Sequence, residues 1–201
     1  MGWLFQYKPL QSSEIVPYLI KEVSGETDHM RVEIVDSAKV GGTVYLAAKV
    51  TDKATDTAYT TAYVILFKNS QKDGFGYKDM SETMGPCEAS APDRLLAKLS
   101  PVDDLPSHPE ARAWAQKWRT ACVEGRKAKA TARKMSDALK AGDVIRTAAP
   151  LSFGSKSFQT FKRSESWAGK GLVFSALHET GEHAMLIRLR PCHLATAERV
   201  G

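Results

Sequence analysis

The feature that most constrains the fold is a set of three strand-like runs joined by very short connections. The runs cover residues 29–40, 43–51 and 57–68. Gly41 and Gly42 form a two-residue hairpin signal between the first two runs, and residues 53–56 have the composition of a turn. Connections this short leave no room for crossover helices, so the sequence predicts an antiparallel sheet.

A capped helix is predicted before these strands. Ser12, Ser13 and Glu14 precede an apolar pattern with helical spacing, formed by Ile15, Val16, Leu19, Ile20 and Val23. A helix followed by a β-meander is typical of an α+β layer. Residues 69–91 are rich in glycine and polar side chains and are predicted to be a loop.

Helices are predicted again after Pro106. Ser107 and Glu110 form a capping box, and an apolar stripe follows at Ala111, Trp114, Ala115, Trp118 and Cys122. Gly125 is expected to kink or end this helix, and a second helical stretch covers residues 126–140.

Strand-like runs return after Gly142, at residues 144–147, 157–161, 172–177 and 184–189. Four short strands in so short a stretch predict a small barrel or an open sheet. The predicted organisation is an acidic α+β domain at 1–106, a basic helical connector at 107–141 and a small β-rich, barrel-like module at 142–201.

The charge of the chain divides at the same place. The net charge is +5, but residues 1–106 hold 11 Lys/Arg and 15 Asp/Glu, whereas residues 107–201 hold 17 and 8. The front is therefore acidic and the back is basic. Such a split indicates a basic surface for an anionic partner, or mutual steering between the two halves.

The connector concentrates this charge on one side. On a helix, Ala128, Ala132, Met135 and Leu139 share one face, and the opposite face carries six cations: Arg126, Lys127, Lys129, Arg133, Lys134 and Lys140. These cations could contact a phosphate backbone, an acidic protein surface or solvent alone. The sequence contains no motif for base-specific recognition.

Residues 74–88 form the least ordinary segment, since glycines, acids, a lysine and a thiol occur close together. Its glycines fit neither the dinucleotide fingerprint nor the P-loop. The segment is either a structural loop with Tyr77, Met80 and Met84 packed inward, a site for a partner or ligand, or a catalytic loop. The predicted binding residues of this segment are Tyr77, Lys78, Asp79 and Glu82.

Two stretches resemble a known family. Residues 1–5 read Met-Gly-Trp-Leu-Phe, and residues 76–86 read Gly-Tyr-Lys-Asp-Met-Ser-Glu-Thr-Met-Gly-Pro. Both are similar to a family of uncharacterised bacterial, phage and plasmid proteins, and the resemblance covers residues 1 to about 105. It implies a mobile-element, cytosolic context and no established reaction, so no catalytic residue carries over.

No catalytic residue, cofactor or metal site is predicted. His178 and His183 are spaced one residue too far apart for the H-E-x-x-H motif, and they flank a predicted turn, where exposed histidines are the better interpretation. Three scattered cysteines indicate a reducing compartment. The start of the sequence does not fit a signal peptide, and a cytoplasmic location without membrane contact is expected.

The sequence therefore favours a non-catalytic binding protein of a mobile element. It would dock on a protein or nucleoprotein target and could inhibit host defence, as anti-CRISPR and antirestriction proteins do. One alternative is a nucleic-acid-binding accessory factor for replication or transfer. The other is a small enzyme that uses residues 74–88.

Overall fold

A computed structural model describes residues 2–6, 8–165 and 173–200. The chain mixes helices with antiparallel sheets, at 27% helix and 41% strand, and this confirms the α+β class. It divides into two compact units, Met1–Val123 (unit 1) and Glu124–Gly201 (unit 2). The predicted boundary at residue 106 remains a prediction, and the division along the chain, between Val123 and Glu124, falls inside the predicted connector.

Unit 1 is built on one six-stranded antiparallel sheet with the strand order β1-β6-β5-β4-β3-β2. Its elements are β1 (Leu4–Gln6), α1 (Ile15–Val23), β2 (Gly25–Glu26), β3 (Met30–Val40), β4 (Thr43–Asp52), β5 (Thr57–Ser70), β6 (Gly74–Ser81), α2 (Asp93–Leu96), a 3₁₀ turn (Val102–Asp104) and the first half of α3 (Pro109–Ala138). The predicted helix and the three-strand meander are confirmed as α1 and β3–β5. Gly41 lies in the β3–β4 turn with a φ of +59°, which glycine adopts without steric cost.

The predicted loop at residues 69–91 is wrong in its first half, because residues 74–81 form the strand β6. Phe75 and Tyr77 both face inward on this strand, and Gly74 and Gly76, which alternate with them, hide the pattern. Gly76 pairs with Phe5 of β1, and a Cβ at Gly76 would lie 2.6 Å from ring atoms of Phe5. A side chain at position 76 would therefore force the exposed Phe5 ring to move.

Both faces of this sheet are covered. One face packs on α1, and its buried cluster comprises Ile15, Leu19, Val44, Leu46, Ile65, Phe75 and Tyr77. The buried cluster of the opposite face comprises Tyr45, Ala47, Ala62, Val64, Ala91, Leu95, Trp118 and Cys122, and so includes α2 and the first half of α3. Unit 1 thus places the sheet between helices on both sides.

Helix α3 runs without interruption from Pro109 to Ala138, so the expectation that a helix ends at Gly125 is wrong, and a kink there stays a prediction. Arg126, Lys127 and Ala128, all strong helix formers, follow this glycine, which costs only about 1 kcal/mol relative to alanine. Residues 109–123 of α3 belong to unit 1 and the remainder to unit 2.

Unit 2 contains a five-stranded antiparallel sheet with the strand order β10-β9-β8-β7-β11. Its further elements are β7 (Val144–Phe153), β8 (Lys156–Arg163), β9 (Phe174–Leu177), β10 (His183–Ile187), α4 (Pro191–Ala195) and β11 (Glu198–Val200). The strand predicted at 172–177 begins outside the described residues, which contain it from Phe174 onward. Strand β11, which pairs with β7, was not predicted.

The core of unit 2 packs side chains of this sheet against two helices. Phe158, Phe161 and Phe174 supply its largest buried side chains, while Ala132 comes from α3 and Leu194 from α4. Burying the alanine side of α3 fixes which side of this helix faces outward in unit 2.

Candidate functional site

Tyr77, the first predicted binding residue, is a core residue. Only 7% of it is exposed, and its hydroxyl donates a hydrogen bond to Glu22 Oε2 at 2.7 Å. Burial and the neighbouring Glu22 carboxylate raise the pKa of Tyr77. The phenol therefore remains a hydrogen-bond donor that connects β6 to α1.

Glu82, another of the predicted binding residues, is fully buried and does not face solvent. Arg119 of α3 donates to both of its carboxylate oxygens, from Nε to Oε2 and from Nη2 to Oε1, each at 2.7 Å. The Thr61 hydroxyl and the Ala62 amide also donate to Oε1, at 3.0 and 3.1 Å. A buried carboxylate requires such partners, and a bidentate guanidinium is the strongest of them.

Arg119 also donates to the Ser100 carbonyl at 2.6 Å. Ser100 in turn pairs with Thr60 of β5 through two hydrogen bonds, at 2.9 and 3.0 Å. Arg119 therefore joins helix α3 to the turn after β6 and to the segment after α2, which is itself bonded to strand β5. Sequence reasoning missed Arg119, whose signal is weak: a cation beside Trp118 at the edge of the apolar stripe.

Lys78 and Asp79 are half-buried and lie on opposite faces of β6, because they occupy successive positions of one strand. Lys78 pairs with Leu66 and Asp79 with Ile65. Met84 was expected to pack inward as part of a structural loop, but 52% of it is exposed. The four predicted residues of this segment are therefore not gathered on one surface.

The cations of the predicted connector are mostly exposed, whereas Tyr77 and Glu82 are buried. Lys127, Lys129, Arg133, Lys134 and Lys140 are exposed, and Arg126 is half-buried. We call these six residues the cationic surface. On the other side of the helical stretch, Ala132 and Leu139 are buried and Met135 packs against the same core.

Few carboxylates offset this charge. Residues 124–201 contain 14 Lys/Arg and seven Asp/Glu. Asp137 lies 3.9 Å from Arg133, although both side chains are highly exposed. Asp143 accepts the Lys140 amide at 2.7 Å and Arg199 Nη2 at 2.7 Å, and these donors hold the pKa of Asp143 below its ordinary value. Unit 2 therefore presents a positive field.

The histidines are arranged as surface residues. His178 lies edge-on to Phe158, with ring centroids 5.5 Å apart, and its amide pairs with the Glu182 carbonyl across the β9–β10 turn. Within residues 2–6, 8–165 and 173–200, no group of three or more His, Cys, Asp or Glu side chains could hold a metal ion. In the same part of the chain, every helix is too short or too polar to cross a membrane.

Comparison with known families finds one match. Residues 109–190 match a family described as a domain of unknown function (DUF6927). The matched stretch begins with α3, includes the six cations and ends after β10, and it covers less than half of the chain. It does not include the motifs at residues 1–5 and 76–86. No curated protein and no solved structure matches the chain.

Proposed function

We propose that this chain is a non-catalytic binding protein that docks on an anionic target through the cationic surface. The observation that carries the proposal is the separation of charge along residues 126–140. Five exposed cations lie opposite Ala132 and Leu139, which are buried in the core of unit 2. A fixed apolar side holds the cations outward, so binding a polyanion does not require the helix to rearrange.

The local carboxylates support this proposal. Asp143 is engaged by the Lys140 amide and by Arg199, and residues 124–201 hold 14 Lys/Arg against seven Asp/Glu, so the carboxylates offset only part of the positive charge of unit 2. A partner that carries phosphates or carboxylates gains from each cation by counterion release and by charge pairing. A helix face that contacts only solvent does not need an excess of positively over negatively charged side chains.

The proposed target is a nucleoprotein or acidic protein of a bacterial host. The resemblance of residues 1–5 and 76–86 to phage and plasmid proteins supports a role in a mobile element. We propose inhibition of host defence, of the anti-CRISPR or antirestriction type. In this proposal the acidic α+β domain, the basic helical connector and the small β-rich module act together as one cytoplasmic binding protein.

The enzyme alternative receives less support from residues 74–88. Glu82 is paired with Arg119 and is buried away from solvent. Burial, with smaller contributions from Cys122, Glu82 and Glu88, raises the pKa of the Cys87 thiol to about 12. A thiol that stays protonated at neutral pH is a poor nucleophile. We therefore propose no reaction for this segment.

Capture from a bacterial lysate tests the proposal. The bait is the tagged full chain, with or without nuclease treatment, and the variant is Lys127→Glu/Lys134→Glu. The control Lys72→Glu/Lys98→Glu changes the net charge equally at exposed positions of unit 1. We expect the control to retain a specific protein partner and the variant to lose it, since charge reversal opposes an anionic surface.

The nuclease arm separates two kinds of target. A partner that survives nuclease and is lost in the variant supports docking on a protein. A partner lost with nuclease supports the nucleic-acid-binding accessory factor instead. If the variant and the control capture the same proteins in equal amounts, the cationic surface does not mediate binding and the proposal fails.

A further inference from the structure

A cleft in unit 1 lies between the turn that follows β6 and the first half of α3. It has a volume of about 380 Å³, and its lining includes Gly85, Cys87, Trp114, Lys117, Trp118 and Ala121. A second cavity of about 540 Å³ shares Trp114 with it, and its lining includes Thr83, Ser107 and His108. Both lie within the size range of small-molecule sites.

The walls of this cleft are held in place by buried contacts. The Trp118 indole donates to the Glu88 carbonyl at 2.9 Å, which joins α3 to the opposite wall. The Glu82–Arg119 ion pair joins the same two segments one residue further along the helix. Gly85 has a φ of +122°, a conformation that side-chain-bearing residues rarely adopt. The cleft is therefore formed before any ligand arrives.

The cleft is lined mainly by apolar side chains, together with one cation. Among the described residues that line the cleft, Lys117 alone is charged, and its Nζ lies 5.2 Å from the centre of the Trp114 ring. Cys87 contributes a neutral thiol, since burial keeps it protonated at pH 7. The Glu88 carbonyl accepts the hydrogen bond from the Trp118 indole, and the Glu88 carboxylate accepts one from the Ser90 hydroxyl at 3.2 Å. An apolar ligand with a negative charge at its edge complements this lining.

We propose that this cleft binds a small aromatic anion, such as an aromatic carboxylate or sulfonate. The ring lies against Trp114 and Trp118, and the anionic group pairs with the Lys117 ammonium at the rim. The neighbouring cavity, with the side chains of Thr83, Ser107 and His108, accommodates polar substituents beyond Trp114. This proposal concerns unit 1 and does not depend on the proposed function of the cationic surface.

Two fluorescent probes of similar shape test the proposal on the full chain. The first is 1-anilinonaphthalene-8-sulfonate, which is anionic, and the second is N-phenyl-1-naphthylamine, which lacks the sulfonate. We expect saturable binding of both. Lys117→Gln should weaken the anionic probe roughly fivefold and leave the neutral probe unchanged, as expected for one exposed charge pair. Lys98→Gln, at another exposed lysine of unit 1, should change neither probe.

Variants that fill the cleft or remove one of its walls provide a second test with the same two probes. Ala121→Leu places additional carbon atoms in the cleft and should weaken both probes by roughly tenfold or more, since the space for the ring is lost. Trp114→Ala, which removes a half-buried wall, should also weaken both probes. Thermal melting shows whether each variant is folded, because partly folded chains also bind such dyes. Saturable binding that none of the three cleft variants changes, or no saturable binding at all, overturns the proposal.

Discussion

The segment 76–82 of unit 1 and the segment 126–140 of unit 2 both carry clustered charges next to a core. In segment 76–82, Glu82 is fully buried and neutralised by Arg119. In segment 126–140, five cations are exposed. Clustered charge therefore has a structural role in the first segment and is available to a partner in the second.

The difference follows from the geometry of the two elements. A helix with an apolar side must turn its charged side outward, so a pattern with a period of 3.6 predicts exposure directly. A strand covered on both faces has no fully outward side, so its charged side chains, here Lys78 and Asp79, are only partly exposed. Residues 76–81 lie in β6, which has β1 on one side and β5 on the other.

The largest expected effect on stability is at the buried ion pair between Glu82 and Arg119. Arg119→Ala leaves the Glu82 carboxylate buried without its counter-ion, and we expect it to lower the free energy of unfolding by about 3–5 kcal/mol. Urea denaturation of the full chain measures this loss. Glu82→Gln/Arg119→Met removes both charges and keeps an oxygen for Thr61 and Ala62, so it should recover more than half of the stability.

An exposed ion pair supplies the control for this prediction. Arg31 and Glu33 lie 3.9 Å apart, with side chains 48% and 53% exposed. Arg31→Ala should change stability by no more than about 0.5 kcal/mol, because solvent screens such pairs. Equal effects of Arg119→Ala and Arg31→Ala would mean that Glu82 is not a buried structural charge.

A smaller effect is expected at the end of the cationic segment. The Lys140 amide and Arg199 lower the pKa of Asp143, so the ionised form stabilises the folded state. This stability is present above the ordinary pKa of 3.8 and is lost as the pH falls through the lower folded value. Asp143→Asn should therefore destabilise unit 2 at pH 7.

The pH dependence distinguishes this interpretation from a simple loss of packing. Melting curves of Asp143→Asn and the parent chain should converge as the pH falls below about 3.8, because the parent carboxyl is then becoming protonated as well. A difference that stays constant from pH 7 to pH 3 would show that the charge of Asp143 does not contribute.

The smallest effect is expected at Met84, at the end of the motif that resembles phage and plasmid proteins. Its side chain is half exposed, so Met84→Ala should change stability by no more than about 0.5 kcal/mol. A loss near 2 kcal/mol in the same denaturation experiment would mean that Met84 is packed in the core and that this segment is wholly structural.

The sequence predicted the parts of the fold that depend on local pattern. The β3–β5 meander follows from short connections such as Gly41-Gly42, and the cationic surface follows from helical periodicity. The strand β6 was missed because glycines interrupt its alternation, and its place in the sheet depends on pairing with β5 and β1. Arg119 was missed because its role depends on Glu82, 37 positions away in the chain.

The comparison also explains why the predicted binding residues separate into two sets. Tyr77, Lys78, Asp79 and Glu82 were predicted to bind because of their residue types, and residue type does not report burial. The six cations were predicted from residue type together with spacing. Spacing on a helix indicates which side chains face outward, so the second prediction contained information about exposure that the first lacked.

The most direct test of the account measures polyanion binding against salt concentration. Fluorescence anisotropy with a labelled DNA duplex of about 20 base pairs gives the dependence of affinity on salt, whose slope reports the number of cations engaged. Lys127→Glu/Lys134→Glu should weaken binding at low salt and reduce the slope by about 2, while Lys78→Ala/Asp79→Ala should leave both unchanged. Equal binding by the two variants, or a loss confined to Lys78→Ala/Asp79→Ala, would contradict the assignment of anion binding to the cationic surface.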